Sequence, residues 1–201
     1  MKLLKQFCLI IPFLAMPCAI ADVNDWNIDP IHSSIDFTVD HMMISKVHGS
    51  FKKLSGNVKY DGKDLKGSKI NTAIEVTSID THDSDRDKHL LSPDFFDAPK
   101  YPTMSFVSKK IIADKDHNFQ IIGDLTLHGV TKEVTLNCNE PSSIITDPWG
   151  NKRFGVEAKG KINRKDFGMS FNKTLDQGQV VVGDEINISI NAEMVQKKAK
   201  S

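Results

Sequence analysis

The 201-residue chain predicts an all-β fold of eight antiparallel strands interrupted by two non-strand insertions. Three observations carry that expectation. Apolar and polar residues alternate with a period of two over most of the chain, the mark of strands buried on one face. The alternating runs are separated by turn signals such as Asp61-Gly62 and His128-Gly129. The longest departure, residues 80–102, is instead rich in Asp, Pro and clustered apolar residues.

The first residues form a leader. Lys2 and Lys5 make a charged start, residues 7–20 are uncharged and largely apolar, and Ala19-Ile20-Ala21 is a small-x-small cleavage site. The run is short for a membrane span and contains Pro12 and Pro17. We read residues 1–21 as a cleaved export signal and residues 22–201 as one domain, periplasmic or secreted. A lipoprotein signal acylated at Cys18 is the alternative, disfavoured by Pro17 where a small residue precedes such a cysteine. Without the leader, Lys plus Arg falls from 26 to 24 against 26 Asp plus Glu, a formal charge of −2. That balance gives no footprint for nucleic acid or for anionic lipid surfaces. Cys138 is then the sole cysteine, so no internal disulfide forms, and its strand parity reads as a small buried hydrophobe.

Taken in order, Ile35, Phe37 and Val39 share one face of a strand over residues 26–41. Leu54, Gly56, Val58 and Tyr60 make the inner face of the second, and Ile70, Thr72, Ile74 and Val76 that of the third. Residues 80–102 follow. Ser84 and Asp87 have capping-box spacing for a short helix, Leu90, Leu91, Phe95 and Phe96 form an apolar cluster, and Pro93, Pro99 and Pro102 impose turns. Met104 and Phe106 open a fourth strand that closes near residues 114–117. Phe119 to Leu127 alternate strictly, and Val134, Leu136 and Cys138 make the sixth strand. Phe154, Val156, Ala158, Gly160 and Ile162 make the seventh. A second interruption, 163–177, carries Phe167, Met169 and Phe171 before the last strand, Ile186 to Met194, and a basic tail.

Such a set of strands closes as a sandwich or as an up-and-down barrel. Eight strands make a barrel just wide enough to be filled by side chains or to hold one small ligand. Gly56, Gly123, Ala158 and Gly160 on the inward parity admit two readings: an under-filled bore, or room for bulky neighbours.

The segments Trp26-Asn27-Ile28-Asp29, His32-Ser33, His41 and Gly49-Ser50-Phe51 resemble the opening of the YceI-like family. So do the run 86–97 (RDKHLLSPDFFD), Lys100-Tyr101-Pro102, the run 123–132 (GDLTLHGVTK) and Arg164-Lys165-Asp166-Phe167-Gly168. The resemblance spans essentially the whole mature chain. It implies an exported, lipocalin-like antiparallel barrel with short helical insertions, often dimeric, holding a long-chain isoprenoid, quinone-like or fatty-acyl lipid in an internal channel. On that reading Ile35, Phe37, Val58 and Ile74 line the channel, with Phe106, Leu125 and Leu127 from the middle strands and Val156, Ala158 and Ile188 from the last two. Arg86, His89, Phe95, Phe96, Phe167 and Phe171 form the mouth and lid. His32 and His41 are candidates for holding a head group, with His89 close to them.

Two other function classes are weighed against it. An enzyme would draw on the histidines at positions 32, 41, 48, 82, 89, 117 and 128, but none forms a close zinc-binding pair. Asp83, Asp85, Asp87 and Asp94 approximate a calcium loop, yet Lys88 stands where such a loop needs Gly. No nucleophile–base spacing, phosphate cradle or cofactor motif is present, although triads assemble in space. A filled-core stress or interaction module is the third class. The expectation is a non-enzymatic lipid binder with no metal, no cofactor, no nucleic-acid partner and no integral membrane span.

Overall fold

Residues 25–113, 118–174, 178 and 180–196 are described by the structure, a computed structural model. Residues 1–24 with the expected leader and Cys18, the stretch 114–117 where a turn is expected, residues 175–177 and 179, and the basic residues 197–201 lie outside the described residues. The strands are β1 (Asp25–Ile28), β2 (Ser34–His41), β3 (Ser45–Phe51), β4 (Leu54–Lys59), β5 (Lys69–Glu75) and β6 (Ile79–Asp80). After the helix α1 (Ser84–Leu90) come β7 (Thr103–Ala113), β8 (Phe119–Leu127), β9 (Val130–Cys138), β10 (Ile145–Thr146), β11 (Lys152–Asn163) and β12 (Val182–Gln196).

Around the ring the order is β1, β4, β5, β7, β8, β9, β11, β12 and back to β1, with every adjacent pair antiparallel. Among the described residues this is a closed eight-stranded antiparallel barrel, with one short α-helix inserted. Closure leaves the ring no exposed edge.

β12 is longer than the ring needs. It pairs with β11 from Glu185 to Val195, and its other edge meets β1 at residues 194–196 and β2 at residues 182–191. β2, β3 and β6 therefore continue the wall past the ring. The chain breaks at 29–33 between β1 and β2, at 52–53 between β3 and β4, and at the 3-10 turn Val76–Ser78 between β5 and β6, so that of the expected strands only the first, 26–41, is split. The second and third breaks are stitched together. Lys52 N–H donates to the Ser78 carbonyl, Glu75 N–H donates to that of Lys53, and Val76 N–H donates to that of Pro102. At the first break Pro30 has no N–H, and the Ser33 hydroxyl accepts from Glu193 N–H at 2.9 Å in place of a backbone carbonyl.

β3 is an element that alternation alone did not mark out. Its inward positions are Val47, Gly49 and Phe51, and the middle one has no side chain. A Cβ at Gly49 would lie 2.4 Å from Phe37 Cζ, so the Phe37 ring occupies that place. The helix start also differs by one residue. Asp83 is the N-cap, its carboxylate accepting from Asp85 and Arg86 N–H, while Asp87 accepts from Thr81 N–H and Oγ1. An Asp at the cap satisfies two donors of the first turn, which Ser84 cannot do from inside the helix.

The inward faces meet in a continuous core. Trp26, fully buried, lies edge-on to Phe154 at 4.7 Å between ring centroids, with Val58 and Met194 around it at one end. Phe106, Ile111, Phe119, Ile121, Cys138 and Ala158 form the middle. Phe51, Phe167, Met169 and Leu127 form the other end, against which Leu90, Leu91 and Phe96 of the 80–102 segment pack.

Candidate functional site

An apolar cavity of about 250 Å³ runs inside the barrel. Tyr60, Phe154 and Met194 bound it at the Trp26 end, and Val39, Val182, Phe95 and Phe96 at the other. All the channel residues named from strand parity border it: Ile35, Phe37, Val58, Ile74, Phe106, Leu125, Leu127, Val156, Ala158 and Ile188. The inward glycines do not make this space. Phe106 lies over Gly123, Leu136 over Gly160 and Ile28 over Gly56, each within 2.8 Å of where a Cβ would be. The cavity is what remains after those rings and methyls are seated.

The mouth residues divide. Phe95 and Phe96 touch the cavity, with Phe96 edge-on to Phe51 at 5.9 Å. His89 sits behind them, stacked edge-on to Phe95 (5.1 Å) and Phe171 (4.9 Å) and hydrogen-bonded to Asp94 (2.9 Å). Arg86 does not line this cavity: its Nε and Nη2 donate to the Thr81 hydroxyl and carbonyl and brace the turn into α1. Phe167, in the 3-10 turn Arg164–Phe167, is buried against β9 beside the cavity, and its carbonyl bonds His128 Nδ1 at 2.9 Å.

His32 and His41 do not converge. His41 ends β2 opposite Val182, whereas His32 sits at the first break beside Glu193, roughly 25–30 Å away at 3.4 Å per residue along the strand. The four acids that approximate a calcium loop are each engaged: Asp83 caps, Asp87 holds Thr81, Asp85 meets Lys88 at 3.1 Å, and Asp94 meets His89.

Two polar features escaped the sequence reading. Arg164, 2% exposed, borders the cavity and donates to the carbonyls of Gly183, Met169 and Val182 and to Asp184. Burial lowers its pKa from the ordinary arginine value, partly offset by Asp184. The second feature is an ion network. Arg153 Nη1 donates to Asp29 and to Glu193, both at 2.6 Å, and its Nε to Asp147 at 2.7 Å. The hydrogen bond with His32, then that from Arg153, holds the Asp29 carboxyl well below the usual range. Burial pushes Asp147 up, but bonds from Asn151 and Arg153 outweigh it and leave its carboxyl depressed too. Asp29, His32 and Glu193 have their donor atoms within 4.8 Å of one another, but the cationic place between the two carboxylates is filled by Arg153. In the sequence this network shows only as two Asp-Pro pairs, Asp29-Pro30 and Asp147-Pro148, far apart in the chain. Cys138 is buried as expected, and burial pushes its thiol up to about 12.

A closed antiparallel β-barrel with an apolar cavity inside it is a small-ligand-holding class of fold. The model of the YceI-like domain matches residues 26–194, and the chain belongs to the YceI-like family. Protein YceI of Escherichia coli O157:H7 is 41% identical over 176 residues, covering 87% of this chain and 88% of that one. Protein YceI of Salmonella newport is 39% identical over 167 residues, 83% of each chain. Among solved structures, the Campylobacter jejuni YceI protein superposes with a TM-score of 0.67 at 32% identity, covering 79% of this chain and 90% of that one. Burkholderia cenocepacia BcnA gives 0.70 at 24% identity, over 83% and 98%. A polyisoprenoid-binding domain from Saccharophagus degradans, implicated in plant cell wall breakdown, gives 0.64 at 15% identity over 86% and 98%, a likeness of fold alone. Among the described residues no helix is long and apolar enough to cross a membrane.

Proposed function

We propose that this protein binds a long-chain apolar lipid, a polyisoprenoid, an isoprenoid quinone or a fatty-acid derivative, inside the barrel and carries or sequesters it without chemical change. The observation that carries the reading is a cavity of about 250 Å³ with a nearly wholly apolar lining. A dry apolar cavity of about 150 Å³ already takes up benzene in place of water, so this one favours a hydrocarbon occupant. Each methylene buried contributes about 0.8 kcal/mol, and a dozen give about 10 kcal/mol gross, largely offset by ordering the chain.

Phe95 and Phe96 are the cover of the bore, with His89 and Phe171 stacked behind them. Arg164, which borders the cavity, is the polar group we assign to a bound head group. His32 and His41, far apart, do not act together on one ligand. The leader at 1–21 supports export and a periplasmic place of action. The polyisoprenoid-binding domain named above lends the choice of lipid class its support. Mass spectrometry of an organic extract of protein purified from its own host tests the proposal. A single class of long-chain lipid near one per chain is expected. A protein that yields none, and takes up neither an added prenyl chain nor an added fatty acid, overturns it.

A further inference from the structure

The ladder that closes the ring between β9 and β11 is short for its strands. It joins Leu136, Asn137 and Cys138 to Gly160, Lys159 and Ala158, and there it stops. Beyond it β9 stays with β8 as far as Val130, and β11 stays with β12 as far as Asn163. Their facing edges, 130–135 and 161–163, share no ladder. The two sides meet again farther on, where His128 Nδ1 bonds the carbonyl of the buried Phe167 at 2.9 Å.

Val134 and Thr135 stand on one side of this seam and Lys161 and Ile162 on the other. All four border both the bore and a groove of about 900 Å³ outside the wall. Thr135 and Lys161 have the outward parity of their strands, so a wall closed at this point would keep them from the bore. The inward residues beside the seam, Val134, Leu136, Ile162 and Ile188, are half-buried. Leu54, Val58 and Ile74, on β4 and β5 across the bore, are buried.

We propose that this seam is a side opening of the bore: the ligand's chain lies inside, and its uncharged, hydrogen-bonding head group emerges between β9 and β11 into the outer groove. The inference rests on the lipid-binding reading and adds to it the place and the chemistry of the head group. Inside, the nearly wholly apolar lining leaves a hydroxyl or carbonyl short of partners, which is costly. The groove supplies them. Asn187 and Ser189, paired on β12 with Lys161 and Lys159, line it with side chains that have no other partner among the described residues.

The charges of the groove cancel. Lys132, Lys159 and Lys161 stand against Asp36, Glu133 and Asp166, while Lys161 also meets Glu185 and Glu133 also meets Lys109. His48 and His82 lie on the β3 side, away from the seam. That balance suits a hydroxyl- or carbonyl-bearing head rather than a phosphate. Arg164 opens the turn that ends the seam, so the two head-group assignments fall at one corner of the barrel.

Hexadecanol and hexadecane are the probes, since they share a chain and differ in the head. In delipidated mature protein, Thr135→Cys/Lys161→Cys puts a removable bridge at the first position beyond the ladder; the buried Cys138 takes no part. Where no disulfide forms, a bis-maleimide spans the same two cysteines. The bridged variant is expected to exchange bound hexadecanol for its deuterated form at least tenfold more slowly than the unbridged one, read by mass spectrometry. Equal rates, with the bridge verified by mass, overturn the proposal. Asn187→Ala/Ser189→Ala is expected to weaken hexadecanol binding about tenfold, with hexadecane binding and the melt unchanged. Equal loss for both probes, or no loss for hexadecanol, overturns it as well. Wild-type protein that takes up neither probe sinks the lipid-binding reading and this inference with it. Uptake of both, indifferent to bridge and variant, sinks the side opening alone.

Discussion

At Gly123 an added Cβ would stand 2.5 Å from Phe106 Cζ and 2.5 Å from the Val107 carbonyl oxygen. The ring could swing toward the cavity, but the backbone oxygen cannot. Gly123→Ala should therefore destabilise the barrel by about 1–3 kcal/mol, the usual cost of overpacking, and reduce lipid content because Phe106 is driven into the bore. Denaturant melts and extraction of the variant check both effects. Asp29 and Asp147 give a second residue-scale expectation. Their carboxyls are depressed in the folded chain, so the network's contribution is fully present above the unfolded carboxyl value of about 3.9. It is lost as pH falls further, through the folded values. Arg153, raised by its three partners, stays charged throughout this window. Thermal melts from pH 7 to pH 2 should show a drop below about pH 4 that is smaller in Arg153→Met. An equally steep acid drop in that variant would assign it to other carboxylates.

The 80–102 segment is where an element and its role separate. Its helix is seven residues long and has no buried residue of its own. What fastens the segment is Phe95, buried, and Phe96, edge-on to Phe51, together with Leu90 and Leu91 against the end of the core. Phe95→Ala/Phe96→Ala should speed exchange of a fluorescent fatty acid several-fold while the barrel keeps its strand signal. Unchanged exchange with several kcal/mol lost from stability would make the segment a plug. The same stretch shows what periodicity misses. Short helices and turns carry no repeat long enough to read, and the cap moved to Asp83 because hydrogen-bond geometry, not spacing, selects it. β3 was passed over for a related reason: its middle inward position is Gly49, so the alternation has a gap where the Phe37 ring sits.

For the molecule as a whole, the bore is the property to test. Ala158 lies on β11 opposite Cys138 and Ile190 and borders the cavity. Ala158→Trp should place the indole in the space a lipid would use. The variant is expected to fold and to lose most of its extractable lipid. A destabilised variant with its full lipid complement would mean that the ligand does not pass this position. The three aligned strand breaks belong to the same scale. They let the wall continue past the ring as β2, β3 and β6, so that β12 spans both parts and the cavity reaches Val39 and Val182.

Alternation along the chain was enough to place the inward faces. A side chain's side of a strand depends only on its parity, and one buried face fixes that parity, so the inward residues from Ile35 to Ile188 that border the cavity could be named in advance. The family resemblance in segments such as 26–29 and 123–132 chose the barrel over the sandwich. Two matters waited for the tertiary structure. The volume of the bore depends on which ring fills which glycine, as Phe106 does at Gly123, and that is a contact between strands. The Arg153 clamp joins residues 29, 147, 153 and 193, brought together only by closure of β11 on β12 and of β12 on β1. Local pattern is written in neighbouring residues; these two features are set by residues far apart in the chain, which only packing brings into contact.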